Sequence, residues 1–201
     1  KMEVGKNGIK LERTAFNEWI SYTVQDIISE EDAEGIHISL QPDPHVGLVD
    51  FDKVKCETVL MNMLMNAIKH SSRGDHITIA TSALDDGFIR VSVSDEGPGL
   101  GDIDRSKMFT RFYQSNSEQY GSGIGLSYSK ILVELHGGRI GADNNPDKGA
   151  TFWWEIPAES AIHVEVPDKA YLNELIGDNT ADDMTGSETD YFRTDRLRLM
   201  L

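Results

Sequence analysis

Positive charge is scarce in this chain. Nineteen Lys and Arg face 34 Asp and Glu, for a formal net charge of −15 over 201 residues. A nucleic-acid surface needs clustered cations to neutralise phosphates, so that class of partner is excluded. An anion site, if there is one, must rest on backbone N–H groups, a few placed cations and a metal rather than on the overall field. Cysteine is nearly absent. Cys56 stands alone, which excludes an internal disulfide and fits a reducing, cytoplasmic compartment. No apolar run approaches the roughly 20 residues of a membrane span, and the opening "KMEVGKNGIK" is no signal peptide. The chain begins with Lys1 rather than Met and is read as a piece of something longer. Internal repeats and low-complexity tracts are also missing.

What is present reads as one α/β domain followed by a different kind of segment. Gly8 to Arg13 reads as a short strand and Phe16 to Ser29 as an amphipathic helix with Phe16, Trp19, Ile20, Val24, Ile27 and Ile28 at helical spacing. "GIHISLQP" and "HVGLVDF" read as strands, and Asp52 starts a helix running to about Ser71. "HITIATSA" and "FIRVSVSD" form the clearest hairpin, turning at "LDDG". Gly125 to His136 is helical and stopped by Gly137–Gly138, after which "GRIGA" and "ATFWWEIP" close the domain as paired strands. From Ala158 the chain turns acidic and loses its apolar period, so 158–201 reads as a linker.

Three constellations carry chemistry. On the long helix, Asn62, Asn66 and Lys69 fall at i, i+4 and i+7, which puts two amides and one ammonium on one face beside His70. A solvent-facing edge is the plain reading. Against it, Asn is a mediocre helix former, and its side-chain oxygen suits Mg²⁺ while lysine suits a phosphate. The second is "SDEGPGLG" at a strand end, with Asp95, Gly97, Gly99 and Gly101. A hairpin turn is the plain reading again, but no paired strand follows. A carboxylate there can accept from an exocyclic amine such as adenine N6, while the glycines let backbone pass close to a ring. The third is "YGSGIGLSYSK", with Gly121, Gly123 and Gly125 ahead of a helix whose free N–H groups favour an anion. Leu126 occupies the place of the last glycine in a Rossmann fingerprint, and no Walker A run exists in the chain.

Taken in order, these residues, then Phe109 with "RFYQ" and finally "KGATFWWEIP", resemble the N, G1, F, G2 and G3 boxes of the ATP-binding catalytic domain of sensor histidine kinases. The resemblance covers about residues 1–157, with residues 1–6 resembling the tail of an upstream dimerisation hairpin's second helix. It implies an α/β fold, a two-layer sandwich (the Bergerat fold) with a mixed sheet covered by helices on one face and a mobile lid. It also implies ATP and Mg²⁺ as cofactors, with Asn66, helped by Asn62, on Mg²⁺ and Lys69 on a phosphate. Asp95 would read the adenine amine, with Thr151 sharing an ordered water. Gly97, Gly99 and Gly101 would shape the adenine wall, with His70 and Ile103 beside it. Phe109 would anchor the lid, Arg111 would meet the phosphates, and Gly121, Ser122, Gly123, Ile124, Gly125 and Leu126 would cradle them.

Three departures from the family pattern stand out. His70 replaces the usual aromatic, Gln114 stands where the lid often has Arg, and the lid from Phe109 to Gly121 is short. None of the six histidines sits in a phosphoacceptor context, so the acceptor is expected on a separate dimerisation domain. A response-regulator receiver domain is the expected second partner, and the ending "RLRLML" resembles the first strand of one. The fragment itself is expected to be monomeric or weakly associated, and its parent a membrane-anchored sensor. Two alternatives remain open: a hydrolysing ATPase of the same superfamily, and a degenerate nucleotide-binding docking module. The hydrolases resemble one another in a glutamate four residues before the metal-binding Asn, where this chain has Asn62.

Overall fold

The computed structural model describes residues 3–4, 8–28, 35–101, 105–110 and 124–159. All of them lie in the first of the chain's two units, Lys1–Val164 and Glu165–Leu201. The order is β1 (Glu3–Val4), β2 (Lys10–Ala15), α1 (Phe16–Ile27), β3 (His37–Gln41), β4 (Leu48–Phe51), α2 (Lys53–His70), β5 (His76–Ala83) and β6 (Phe88–Ser94). A 3₁₀ turn at Arg105–Phe109 follows, then α3 (Gly125–Leu135), β7 (Arg139–Asn144) and β8 (Ala150–Pro157).

The strands form two sheets, β1-β2-β4 and β3-β5-β6-β8-β7. In the larger, β3 runs parallel to β5 and every other pair is antiparallel, so the sheet is mixed as the resemblance implied. Within residues 1–6 the structure differs from the helix-tail reading. Glu3 and Val4 pair with Leu11 and Lys10 as a strand.

Period-two alternation decides which sheet face is covered. Ile77 and Ile79, Ile89, Val91 and Val93, and Phe152, Trp154 and Ile156 are all buried, while the intervening Thr78, Ala80, Arg90, Ser92 and Trp153 are half-exposed. Helical residues complete that core: Phe16 and Ile20 from α1, Leu60, Met63 and Leu64 from α2, Leu132 and Leu135 from α3. Each such side chain contributes roughly 1.5–3 kcal/mol by burial. Phe16 meets Trp154 at 6.1 Å and Phe51 at 5.0 Å between ring centroids, seating α1 on the sheet.

The helix ends follow the sequence signals. Asp52 caps α2 by accepting from the Lys55 N–H. Gly137, at φ +72°, ends α3 in a Schellman arrangement, with Gly138 N–H donating to Val133 O and Gly137 N–H to Glu134 O, both at 2.9 Å. The hairpin turns at Gly87, φ +81°, with Leu84 N–H donating to Phe88 O.

Candidate active site

The end of β6, the end of α2 and the β7–β8 turn converge at Asp95. This carboxylate is buried, 4% exposed, and its Oδ1 accepts from Gly97 N–H at 2.9 Å and Ala150 N–H at 3.3 Å. Its own N–H donates to Ala150 O. Two backbone hydrogen bonds thus aim a charged acceptor that β6 delivers at its end.

The glycines here are spatial requirements. A Cβ on Gly97 would stand 2.5 Å from the His70 carbonyl oxygen, and one on Gly149, at φ +87°, 1.9 Å from that of Asp95. Gly99 and Gly101 adopt φ +77° and +61°, and between them Leu100 is buried with its N–H on Asn144 Oδ1 at 2.7 Å. Beside this turn lies a cleft of about 560 Å³ bordered by His70, Asp75, Gly97, Pro98, Lys148 and Gly149; Asp95 itself is not in its lining. Burial, then the neighbouring Lys69, lowers the His70 pKa from its ordinary value against an opposing pull from Asp95. The ring at the cleft is therefore neutral at pH 7, able to stack without a charge to desolvate.

Along α2 the predicted stripe divides. Asn62 spends its amide donor on α3, bonding Gly125 O and Ser129 Oγ, each at 3.1 Å. Asn66, one turn on and half-buried, has no hydrogen-bond partner among the described residues. Lys69 is exposed on the same helix. Phe109 is buried at the end of the 3₁₀ turn. Gly125 and Leu126 open α3, and Ile124 precedes it with no side-chain cap, leaving the first N–H groups of that helix uncapped by a side chain. Ile103, Arg111, Gly121, Ser122 and Gly123, with Gln114, lie outside the described residues.

Thr151 is a correction. Successive side chains of β8 alternate between faces, and the inward one beside Asp95 is Ala150. The structure does not bring the Thr151 hydroxyl to the Asp95 carboxylate. That hydroxyl lies on the other face, bonded to Asn145 Oδ1 at 2.6 Å and Ser94 Oγ at 2.9 Å. Asn145 escaped the sequence reading, although its Nδ2 also reaches the Asp95 carbonyl oxygen at 2.9 Å. The Asn-Asn-Pro turn ahead of Gly149 was the only signal for it.

Among the described residues no cluster of three or more His, Cys, Asp or Glu could hold a metal ion. A cation here would take few protein ligands and complete its shell with water and phosphate oxygens, as Mg²⁺ does. The unpartnered Asn66 amide fits that demand.

The model of the HATPase_c family, described as histidine kinase-, DNA gyrase B- and HSP90-like ATPases, matches residues 51–160, more than half of the chain. The chain belongs to this family. Within the HATPase_c family it is similar to the sensor histidine kinase ZraS of Klebsiella oxytoca, 30% identical over 74% of this chain and 32% of that one. A full-length ShkA crystal structure in complex with AMPPNP superposes at TM-score 0.65 with 28% identity, over 76% of this chain and 32% of that one. A histidine kinase ThkA structure in complex with the response regulator protein TrrA gives TM-score 0.63 and 25% identity, over 75% and 42%. The chain spans roughly a third or less of the length of several curated relatives. The catalytic domain of histidine kinase ThkA also superposes, at TM-score 0.65 with 27% identity over 74% of this chain and 96% of that one, and this chain shares its α/β fold as a catalytic ATP-binding domain of the sensor histidine kinase type.

Proposed function

We propose that this chain binds Mg²⁺–ATP between Asp95 and the Asn66 face of α2 and donates the γ-phosphoryl group to a histidine on a separate dimerisation domain, in two-component signalling. The observation that carries the reading is the Asp95 carboxylate, buried and oriented by two N–H groups where Gly97 and Gly149 leave no room for a Cβ. An acceptor so placed selects a base bearing an exocyclic amine over one presenting a carbonyl, because the wrong base leaves a buried charge unpaired. When bound, Mg²⁺–ATP supplies the transferable phosphoryl group and the cation that neutralises charge on it.

This chain's own part is positioning. Asp95 accepts from the adenine amine, His70 lies against the ring, and Gly97, Gly99 and Gly101 form the wall. Asn66 offers its oxygen to the cation, Lys69 and Arg111 meet phosphate charge, and the first turn of α3 presents N–H groups. In the transfer itself the γ-phosphorus loses its bond to the bridging oxygen and gains one to an imidazole nitrogen. That nitrogen attacks with its own lone pair, so no residue here has to deprotonate water. A hydrolytic reading needs such a base, and Asn62 holds its amide against α3 instead.

Residues 1–157 form the catalytic domain in this reading and 158–201 an acidic linker; the ThkA–TrrA complex supports a response regulator as partner. No helix among the described residues is long and apolar enough to cross a membrane. We place the domain on the cytoplasmic side of a membrane-anchored parent.

The test is calorimetric titration with Mg²⁺ and a non-hydrolysable ATP analogue on wild type and Asp95→Asn. The variant keeps an oxygen for Gly97 and Ala150 but lacks the charge. Binding should weaken by about tenfold to a hundredfold. Equal affinity in the two proteins would remove Asp95 from base recognition.

A further inference from the structure

We infer that Asn62 is a positioning residue: its amide sets where the first turn of α3 stands relative to Asn66, and thereby the affinity for the phosphate part of the nucleotide, without being a metal ligand. The inference rests on the nucleotide reading above and departs from it at one residue.

The geometry is a closed triangle. Asn62 Nδ2 donates to Gly125 O at 3.1 Å and to Ser129 Oγ at 3.1 Å, and Ser129 Oγ donates to Gly125 O at 2.9 Å. Ser129 is fully buried and Asn62 and Gly125 half-buried, so the Ser129 corner of the triangle is shielded from competing water. Gly125 O can only accept, so the nitrogen end of the amide is the end that faces α3. Gly125 is the first residue of α3, and Ile124 before it supplies no side-chain cap. The contact with α2 therefore does what a cap leaves undone, fixing the start of α3 from outside the helix.

Asn62 and Asn66 are one helical turn apart on α2, about 6 Å along its axis. A single rigid turn thus connects the group that fixes α3 with the group proposed to face the cation. An offset of about 1 Å between phosphate-binding elements is enough to lose much of their joint effect. The two possible roles demand opposite chemistry. A metal ligand uses oxygen and tolerates or prefers a carboxylate, whereas this contact uses N–H and is reversed by one.

Asn62→Asp in the full chain separates them. Three quantities are measured: affinity for the Mg²⁺-loaded non-hydrolysable ATP analogue, affinity for adenosine, and hydrogen exchange of the α3 amides from Tyr128 to Lys130. We expect the analogue to bind about tenfold more weakly, with adenosine affinity and the midpoint of Mg²⁺ dependence unchanged and exchange of those amides faster. Retained or tighter analogue binding, a lowered Mg²⁺ midpoint, or unaltered exchange would overturn the inference. Should Asn62→Asp lose adenosine as well, Ser129→Ala decides, since it breaks the triangle and leaves Asn62 in place. The same pattern at reduced size supports the inference and wild-type values overturn it. Wild type that binds neither ligand would sink the nucleotide reading and the phosphate half of this one, while exchange would still decide whether Asn62 fixes α3.

Discussion

The imidazole Nε2 of His136 accepts a hydrogen bond from the backbone N–H of Asp52 at 3.1 Å, joining the end of α3 to the cap of α2. Nδ1 lies 2.7 Å from Leu132 O, so it holds the proton and the ring is neutral. Asp52 in turn accepts from Lys10 N–H on β2, so three elements meet at one cap. Burial lowers the His136 pKa from 6.5, outweighing the opposing pulls of the Leu132 carbonyl and Asp52.

That burial fixes the sign of a pH effect. The unfolded chain takes up a proton near pH 6.5 and the folded chain only at lower pH, so stability is complete above 6.5 and falls as pH drops below it. His136→Gln should lose about 1–3 kcal/mol at pH 7 and show a shallower decline from pH 6.5 to 5 than wild type. Urea denaturation at stepped pH checks both. Parallel pH curves would show that His136 does not titrate on unfolding.

Gly149 and Gly101 share a positive φ but not a neighbourhood. A Cβ on Gly149 meets the Asp95 carbonyl at 1.9 Å, while one on Gly101 meets nothing within 4 Å. Gly101→Ala should therefore cost only the left-handed backbone penalty, about 1 kcal/mol, and Gly149→Ala several times that, because backbone cannot step aside. Denaturation midpoints of the two variants compared directly are the measurement, and similar losses would contradict the packing at Asp95.

Asn66 is a polar residue on a helix with no partner to lose among the described residues. Asn66→Ala should consequently leave stability within about 0.5 kcal/mol of wild type. It should also remove the gain that Mg²⁺ gives to binding of the ATP analogue. If Mg²⁺ enhances binding equally in the variant, the cation is held elsewhere.

Much of this was legible because it is local. Period-two and 3.6-residue patterns, the Asp52 cap and the Gly137 stop each sit within a few residues of what they determine. Asp95 and its glycines were legible as a strand end with no paired strand after it. Thr151 was not, because a shift of one residue along a strand moves a side chain to the other sheet face. Asn62 shares a helical face with Asn66, but only the packing of α3, 63 residues later, shows which end of its amide is engaged. Asn145 was invisible for the same reason, its partners Ser94 and Asp95 lying 50 or more residues away.

Asp43 ties the loop after β3 to β5. Its carboxylate accepts from Ala83 N–H and His45 N–H, both at 2.9 Å, with the His45 ring nitrogen at 2.8 Å. Those bonds, the backbone ones first, hold its pKa at about 2 instead of 3.8. A lowered pKa gives stability that is complete above pH 3.8 and lost as pH falls toward 2. Asp43→Asn should flatten that part of the acid-unfolding curve, read by circular dichroism. An unchanged acid limb would assign it to other carboxylates.

The last prediction concerns the mouth of the cleft. Lys148 Nζ meets Asp75 Oδ1 at 2.6 Å, joining the β7–β8 turn to the turn after α2, the two segments that border the cleft. Asp75 is mostly covered and its other oxygen takes the Ser72 N–H at 2.7 Å, so the carboxylate end is held while the lysine end is exposed to solvent. Exposed pairs of this sort contribute little by themselves and are screened by salt. The effect on binding should therefore be small, about twofold to fivefold, and ionic-strength dependent. Uncharged adenosine is the right probe, since salt acts on its affinity only through the protein. Wild type should bind adenosine more weakly as salt rises, whereas Lys148→Met should bind weakly at every salt concentration. Identical salt slopes in the two proteins would mean that the cleft keeps its width without this pair.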